Sequence, residues 1–268
     1  MSTVNTFFSG SIPENYDRYL GPLLFEPYAI DLAARIPALA EGSVLELACG
    51  TGRVTNHLRR KLPRQVRLVA TDLNPEMIAV ARAHVKDPLI EWMPADMQAL
   101  PFSDNSFDCV VCQYGIMFVP DKLKAFNEVF RILREGGTFH FNTWDKIENN
   151  GVPSIANRVV AKFFNDSPPA FYGVPFSMFE PERIKELALQ AGFSKISVEL
   201  VRKEGRSDTA ADAAKGMIEG NPILKEISDK APNAVGPVRE LVRKEISSFY
   251  GDGPIVSPLQ AWVIEASK

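Results

Sequence analysis

Residues 44–52, Val-Leu-Glu-Leu-Ala-Cys-Gly-Thr-Gly, limit the fold of this chain more than any other stretch. A short apolar run carries one acidic residue, Glu46, then gives way to a glycine turn and the helical pattern of Arg53–Lys61. That succession reads as the first strand, turn and helix of an α/β nucleotide-binding fold. Gly50 and Gly52 let the backbone turn tightly and approach a ligand without a Cβ in the way. Asp72 lies twenty residues beyond Gly52 and closes a second apolar strand, 66–71. A carboxylate at that point can accept both hydroxyls of a ribose. A nicotinamide dinucleotide turn needs Gly-x-Gly-x-x-Gly, and the third position here is Thr55, so that fingerprint is incomplete.

The pattern Glu46-x-x-Cys-Gly50-Thr-Gly52 instead resembles motif I of the class I S-adenosylmethionine-dependent methyltransferases. The usual form there is acidic-x-Gly-x-Gly-x-Gly, and this chain has Ala48 at the first glycine. Asp96-Met97 resembles the family's acidic loop after the third strand, which holds the adenine amino group. Leu100-Pro101-Phe102-Ser103-Asp104-Asn105-Ser106-Phe107-Asp108 resembles its entry into the fourth strand. Val129–Gly137 resembles the helix and Gly-Gly turn before the fifth. These signals follow in order over residues 40–145, and the resemblance is to the small-molecule branch that includes ubiquinone/menaquinone-type methyltransferases.

The resemblance implies a Rossmann-like α/β fold: a seven-stranded, mostly parallel sheet with helices on both faces and a helical, aromatic-rich substrate cover. It implies a single methyltransferase domain over 1–268, with N-terminal helices or a lid at 1–39 and a cofactor core at 40–145. Insertions at 146–180 and 207–255 would form the cover. The cofactor is expected to be S-adenosyl-L-methionine, leaving as S-adenosyl-L-homocysteine. Glu46, Ala48, Gly50, Gly52, Asp72, Leu73, Met77, Asp96, Met97, Gln113 and Tyr16 are the residues expected around it. Leu73 and Met97 would flank the adenine, Gln113 would meet the methionine carboxylate or the acceptor, and Tyr16 would belong to the lid.

Periodicity places elements independently of the resemblance. Strands are expected at 44–48, 66–71, 89–93, 107–112 and 137–143, and helices at 53–61, 75–85 and 121–134. Asn74 before Pro75 is a capping side chain ahead of a proline at the first helical position. Residues 14–39 read as helical, with Gly21-Pro22 splitting them into two helices. Helix 121–134 is expected to stop at Gly136. Residues 145–180, rich in phenylalanine and proline, look irregular. A helix at 181–190, a strand at 196–203, helical character over 208–250 and a closing strand at 259–266 complete the chain.

Composition narrows the class. A net charge of −3 argues against a nucleic-acid partner, which calls for a basic face. The basic cluster Arg59-Arg60-Lys61, with Arg64 and Arg67, reads as a solvated structural feature at a helix end. No apolar stretch approaches the roughly 20 residues that span a bilayer, and the N-terminus lacks a signal-peptide pattern, so no membrane partner and a cytoplasmic location are expected. Cys109 and Cys112 stand three apart in a strand and point to opposite faces, which spoils a metal site or redox pair; buried inert thiols are expected, and no metal.

Methyl transfer from a sulfonium is an in-line displacement that asks for proximity, alignment and exclusion of water. No catalytic residue is assigned: His57 and His84 fall in helices and His140 in mid-strand, away from the sheet's carboxyl edge. Tyr114, Trp144, Phe171 and Tyr172 are the expected acceptor contacts. The Asn/Asp-Pro-Pro-Tyr/Phe sequence of amino-methyltransferases is absent, since Gln113-Tyr114-Gly115-Ile116 stands there. The expected acceptor is therefore an apolar or aromatic small molecule, methylated on oxygen or carbon in preference to nitrogen. A nicotinamide-dependent oxidoreductase and a non-catalytic, S-adenosylmethionine-binding regulatory module are the alternatives.

Overall fold

Seven strands hydrogen-bond in the order β3-β2-β1-β4-β5-β7-β6 in the computed structural model, which describes residues 8, 10–165 and 167–268. They are β1 (Ser43–Leu47), β2 (Arg67–Asp72), β3 (Ile90–Pro94), β4 (Phe107–Gln113), β5 (Leu133–Trp144), β6 (Ser194–Ser207) and β7 (Ile255–Ser267). β1 through β5 run parallel, and β7 pairs antiparallel with β5 from Trp144 opposite Ala261 to Thr138 opposite Ser267. Near the middle of the sheet, β1 is buried along its whole length, including Ser43 and Glu46. That is the signature of a parallel sheet covered on both faces.

The crossover helices follow from chain direction. From β1 the chain moves one way through α3 (Arg53–Lys61) to β2 and α4 (Pro75–His84) to β3. It then returns to β4 on the other side of β1 and moves the opposite way through α5 (Lys122–Ile132) to β5. With right-handed crossovers, α3 and α4 lie on one face and α5 on the other. The reversal leaves a switch point between the carboxyl ends of β1 and β4, the place where such sheets bind ligands.

Local chemistry sets the boundaries. Asn74 accepts the Glu76 N–H and caps α4, and Asp121 accepts the Lys124 N–H and caps α5. α5 ends at Ile132, not at Gly136: Leu133 already pairs with Phe107, and the register shifts between Phe107 and Cys109, so Gly136 lies inside β5. β6 and β7 extend beyond their expected ranges at both ends.

Two compact units can be distinguished. The first, residues 28–144, 178–201 and 261–268, holds the core of the sheet with α2 (Glu26–Arg35), α3, α4, α5 and α7 (Pro181–Gln190). Phe126, Phe139, Phe141 and Phe193 meet edge to face and stacked inside it. Its basic cluster is structural, and part of it is buried. Arg59 is 8% exposed and donates to the carbonyls of Leu62, Pro63 and Val66, and Lys61 caps α2 through the carbonyls of Ala33, Ala34 and Ile36.

The second unit, residues 1–27, 145–177 and 202–260, is mainly helical. It contains α1 (Ile12–Asn15), a π-helical segment (Tyr16–Phe25), α6 (Gly151–Phe164), α8 (Ala210–Glu219), α9 (Ile223–Lys230) and α10 (Val235–Tyr250). Gly21-Pro22 does not split the N-terminal helix. A proline blocks i→i−4 bonding, whereas here the bonds skip a further residue, as from the Glu26 N–H to the Gly21 carbonyl. The wider winding brings Tyr16 and Phe25 into a stack at 4.6 Å, although nine residues would be about two and a half turns of an α-helix. α6 was not legible, because Pro153 and the phenylalanines of 163–179 look like loop when read singly; Pro153 falls in its first turn, where proline is tolerated.

Candidate functional site

At the carboxyl end of β1 the chain turns through two left-handed residues, Ala48 (φ 50°) and Gly50 (φ 54°), and a third, Gly52 (φ 85°), opens α3. A Cβ on Gly50 would meet nothing within 4 Å, whereas one on Gly52 would lie 3.0 Å from the Ala81 Cβ. The two glycines thus differ in role: Gly52 lets α3 sit close to α4, and Gly50 leaves open space above the turn. The Cys49 N–H donates to the Thr71 carbonyl at 2.9 Å and the Gly52 N–H to the Cys49 carbonyl at 2.9 Å.

Asp72 ties this turn to the end of β2. One carboxylate oxygen accepts the Gly50 N–H at 2.9 Å and the other the Asn74 N–H at 2.8 Å. A carboxylate can accept about four hydrogen bonds, so acceptor capacity remains. Burial pushes the Asp72 pKa up, against the pull of the Asn74, Gly50 and Leu73 N–H groups. Beneath the turn, Glu46 is 2% exposed, and its Oε2 has no hydrogen-bond partner among the described residues. Burial pushes its pKa up to about 8, opposed by Thr55 and assisted by the charge of Asp72. Thr55, which stands where a dinucleotide turn has its third glycine, is itself fully buried.

After β3, Asp96 accepts the Gln98 N–H at 2.9 Å and the Gln98 side-chain amide at 3.3 Å. The other end of that amide accepts the Asp121 N–H at 3.1 Å, so Gln98 links the Asp96 loop to the cap of α5. Asp96 and Met97 are half-buried, as are Leu73 and Gln113, while Met77 is buried on α4. After β4, Tyr114 has φ 50°, and its N–H donates to the Asn142 side-chain oxygen on β5 at 3.0 Å. Its ring stacks on Trp144 at 3.9 Å, and Tyr28 meets both rings edge-on.

Gly115 is the residue that sequence reasoning passed over. A Cβ there would stand 2.4 Å from the Ala48 Cβ, 2.8 Å from the Cys112 Sγ and 3.5 Å from the Met97 Cε. The loops after β1, β3 and β4 therefore converge at one glycine. This brings together Ala48, Gly50, Asp72, Asp96, Met97 and Gln113. Asn142, which fixes Tyr114, was named only as one of several residues near the end of β5; its one sequence signal is a polar residue in an apolar strand.

The motif 100–108 is architectural. Arg131 donates to the carbonyls of Leu100 and Phe102 and to the carboxylates of Asp104 and Glu128, and Glu128 accepts the Leu100 N–H. Asp108 accepts the Ser43 N–H at 2.7 Å and Arg134 at 2.5 Å, holding the start of β1.

The remaining expected positions belong to the helical unit. Tyr16 is stacked on Phe25 and edge-on to Phe8. Phe171 is half-buried, and Tyr172 is buried with its hydroxyl donating to the Met217 carbonyl at 2.7 Å. His140 is 2% exposed on β5, its pKa pushed down to about 4 by burial and by the charges of Arg35 and Lys61. Cys49, Cys109 and Cys112 are buried free thiols, their pKa values raised by burial. Among the described residues there is no group of three or more His, Cys, Asp or Glu that could hold a metal, and no helix long and apolar enough to cross a membrane.

Comparison with known proteins agrees with this geometry. Residues 45–141 match the family described as "Methyltransferase domain". A ubiquinone/menaquinone biosynthesis C-methyltransferase of Hahella chejuensis is 41% identical over 102 residues, covering 37% of this chain and 41% of that protein. Its namesake in Pasteurella multocida is 31% identical over 172 residues, covering 58% and 63% respectively. The chain thus spans less than two thirds of either relative. Phosphoethanolamine N-methyltransferase 2 of Haemonchus contortus, solved with phosphomonomethylethanolamine and S-adenosylhomocysteine, superposes with a TM-score of 0.61 at 18% identity. That match covers 96% of this chain and 56% of the other and speaks for the fold. The strand order, the glycine turn and the matched core agree, and residues 45–141 are similar to the methyltransferase domain.

Proposed function

We propose that this protein transfers a methyl group from S-adenosylmethionine to an oxygen or carbon of an apolar or aromatic small molecule. The supporting observation is the convergence, at the β1/β4 switch point, of an open backbone turn at Gly50 with the Asp72 carboxylate beside it. The residues present fit the cofactor. Asp72 keeps acceptor capacity for a ribose diol, and Gly50 leaves room for the ligand. The unpartnered Oε2 of Glu46 lies buried in the strand under the turn. Asp96, Leu73 and Met97 suit an adenine, through a carboxylate for its amino group and apolar side chains for its faces. Gln113 serves the methionine end.

When bound, S-adenosylmethionine supplies a methyl group on a sulfonium. Displacement at that methyl would be in line with the carbon–sulfur bond, with the bonding pair left on sulfur and a proton given up by the acceptor. The chain's residues contribute alignment and dryness, worth several orders of magnitude when the bound geometry is near attack. His140, neutral and inside β5, takes no part as a base. The relatives named as ubiquinone/menaquinone C-methyltransferases favour a ring carbon over oxygen, and they make quinol-type rings the first acceptors to try.

Calorimetric titration with S-adenosylhomocysteine, alongside NADH and NADPH, tests the cofactor. Micromolar binding of the first alone is expected, and binding of a nicotinamide nucleotide instead would overturn the reading. Methyl transfer from labelled S-adenosylmethionine to a panel of hydroxylated aromatic and quinol acceptors tests the activity. Tight cofactor binding without transfer to any of them would favour the non-catalytic alternative.

A further inference from the structure

Ala48 occupies a position that the family's motif gives to glycine, in a left-handed conformation (φ 50°) that glycine adopts at least cost. Its methyl points to where a Cβ on Gly115 would be, 2.4 Å away, far closer than two non-bonded carbons approach. The side chain missing at the expected position in one loop is therefore matched by one missing in the other. Sixty-seven residues separate them in sequence, yet they meet across the switch point. We infer that Ala48 and Gly115 are a reciprocal pair, and that Gly115 is a positioning residue setting the glycine turn at the height the cofactor requires. This rests on the cofactor reading given above.

The two loops differ in how far they can yield. On the β4 side, Tyr114 is fixed by its N–H bond to Asn142 at 3.0 Å and by its stack on Trp144 at 3.9 Å. On the β1 side, the turn has open space beyond Gly50. A methyl added at Gly115 therefore displaces the glycine turn toward its open side, which is the side the ligand needs. The displacement strains the Gly50 N–H bond to Asp72 as well. The free protein relaxes by moving the turn, and binding must push it back, so the defect is read in affinity more than in folding. The Cys112 Sγ at 2.8 Å hangs on one torsion, whereas the Ala48 Cβ is fixed to the backbone.

The test is a double-mutant cycle on the full chain, read by calorimetric titration with S-adenosylhomocysteine and by thermal unfolding. Gly115→Ala is expected to weaken binding about ten-fold or more. Whatever Ala48→Gly does alone, Ala48→Gly/Gly115→Ala is expected to bind more tightly than additivity allows, recovering most of the Gly115→Ala loss. Gly115→Ala combined with Cys112→Ala removes the sulfur contact and keeps the carbon one, so it should remain weak. Recovery there, or additivity between Ala48→Gly and Gly115→Ala, would overturn the pairing, as would a lower melting temperature with unchanged Kd in Gly115→Ala. If the parent chain does not bind S-adenosylhomocysteine, the methyltransferase reading fails separately. The pairing is then decided by hydrogen exchange at residues 48–53 in the free proteins, expected to rise in Gly115→Ala and return in the double variant; no rise would overturn it. If Gly115→Ala does not fold, a folded double variant supports the pairing and an unfolded one overturns it.

Discussion

Replacing Asp72 separates a ligand contact from a structural tether, because the two effects fall on different measurements. Asp72→Ala leaves the Gly50 and Asn74 N–H groups without the carboxylate that accepts them at 2.9 and 2.8 Å. A hydrogen bond to a charged group contributes about 1.5–3 kcal/mol when buried. Asp72 is half-buried and water can replace part of each bond, so the lower end applies, and the loss of stability is expected to be about 2–3 kcal/mol. The ribose hydroxyls lose their acceptor too, weakening S-adenosylhomocysteine by about 1–3 kcal/mol, or roughly 5- to 150-fold in Kd. Asp72→Asn refines the comparison: its amide can accept from one of the two N–H groups but turns an NH2 toward the other, so it should keep about half of the tether. Calorimetry gives Kd and urea unfolding gives stability, both at one pH and salt concentration. Lower stability with unchanged Kd in Asp72→Ala would refute the ribose assignment and leave the residue as a turn-former only.

Beside Asp72, whose pKa burial also raises, Glu46 is one pH-sensitive element. Its folded pKa, about 8 against an ordinary 4.5, means the folded state holds a proton that the unfolded chain has released, so stability is fully present below pH 4.5 and declines as pH rises through 8. Unfolding of the parent should show that decline, and Glu46→Gln, which mimics the protonated form, should flatten it; an unaltered profile would reject the assignment. Arg131→Ala removes the donor shared by Leu100, Phe102, Asp104 and Glu128 and should cost about 1–2 kcal/mol with little change in Kd, measured by urea unfolding. Gly205→Ala puts a Cβ at 1.7 Å from the Leu23 carbonyl oxygen, where the backbone itself must move, and should lower stability by about 3 kcal/mol or more; a thermal midpoint equal to the parent's would contradict that packing.

Which features were legible follows from how far apart the deciding atoms lie in the chain. α3, bounded by Gly52, and the start of α4 at Pro75 are set by neighbours one to three residues away, and both were placed to the residue. The π-helical segment also has a local cause, but one that a proline rule reads in reverse: Pro22 signals a break only if the bonding must be i→i−4. Leu133 was assigned to a helix because its pairing with Phe107 lies 26 residues away and no local pattern announces it. Gly50 and Asp72, which hydrogen-bond, were paired in advance because a motif and a spacing connect them. Gly115 was missed because nothing in Gln113-Tyr114-Gly115 says that Ala48 will be its neighbour.

The same reasoning sets where acceptor specificity must be sought. Every element of the matched region, 45–141, lies in the sheet unit, and its motifs are explained either by the cofactor turn or by architecture, as Arg131 and Asp108 show. Of the expected acceptor contacts, Tyr114 alone falls within that region. Phe171 and Tyr172 lie outside it, in the helical unit, and there the tyrosine hydroxyl is committed to the Met217 carbonyl, with its pKa raised by burial. A hydroxyl that is buried, bonded and harder to ionise than usual is a poor proton acceptor at neutral pH, so Tyr172 is not suited to act as a base. Under the proposed function, with neither His140 nor Tyr172 suited to act as a base, the enzyme relies on the acceptor's own nucleophilicity. It is therefore expected to methylate only acceptors that are already nucleophilic, such as an ionised phenol or the electron-rich ring carbon beside one, and its rate should follow the acceptor's own pKa across a substituted series. A rate independent of acceptor pKa would require a base that these residues do not supply.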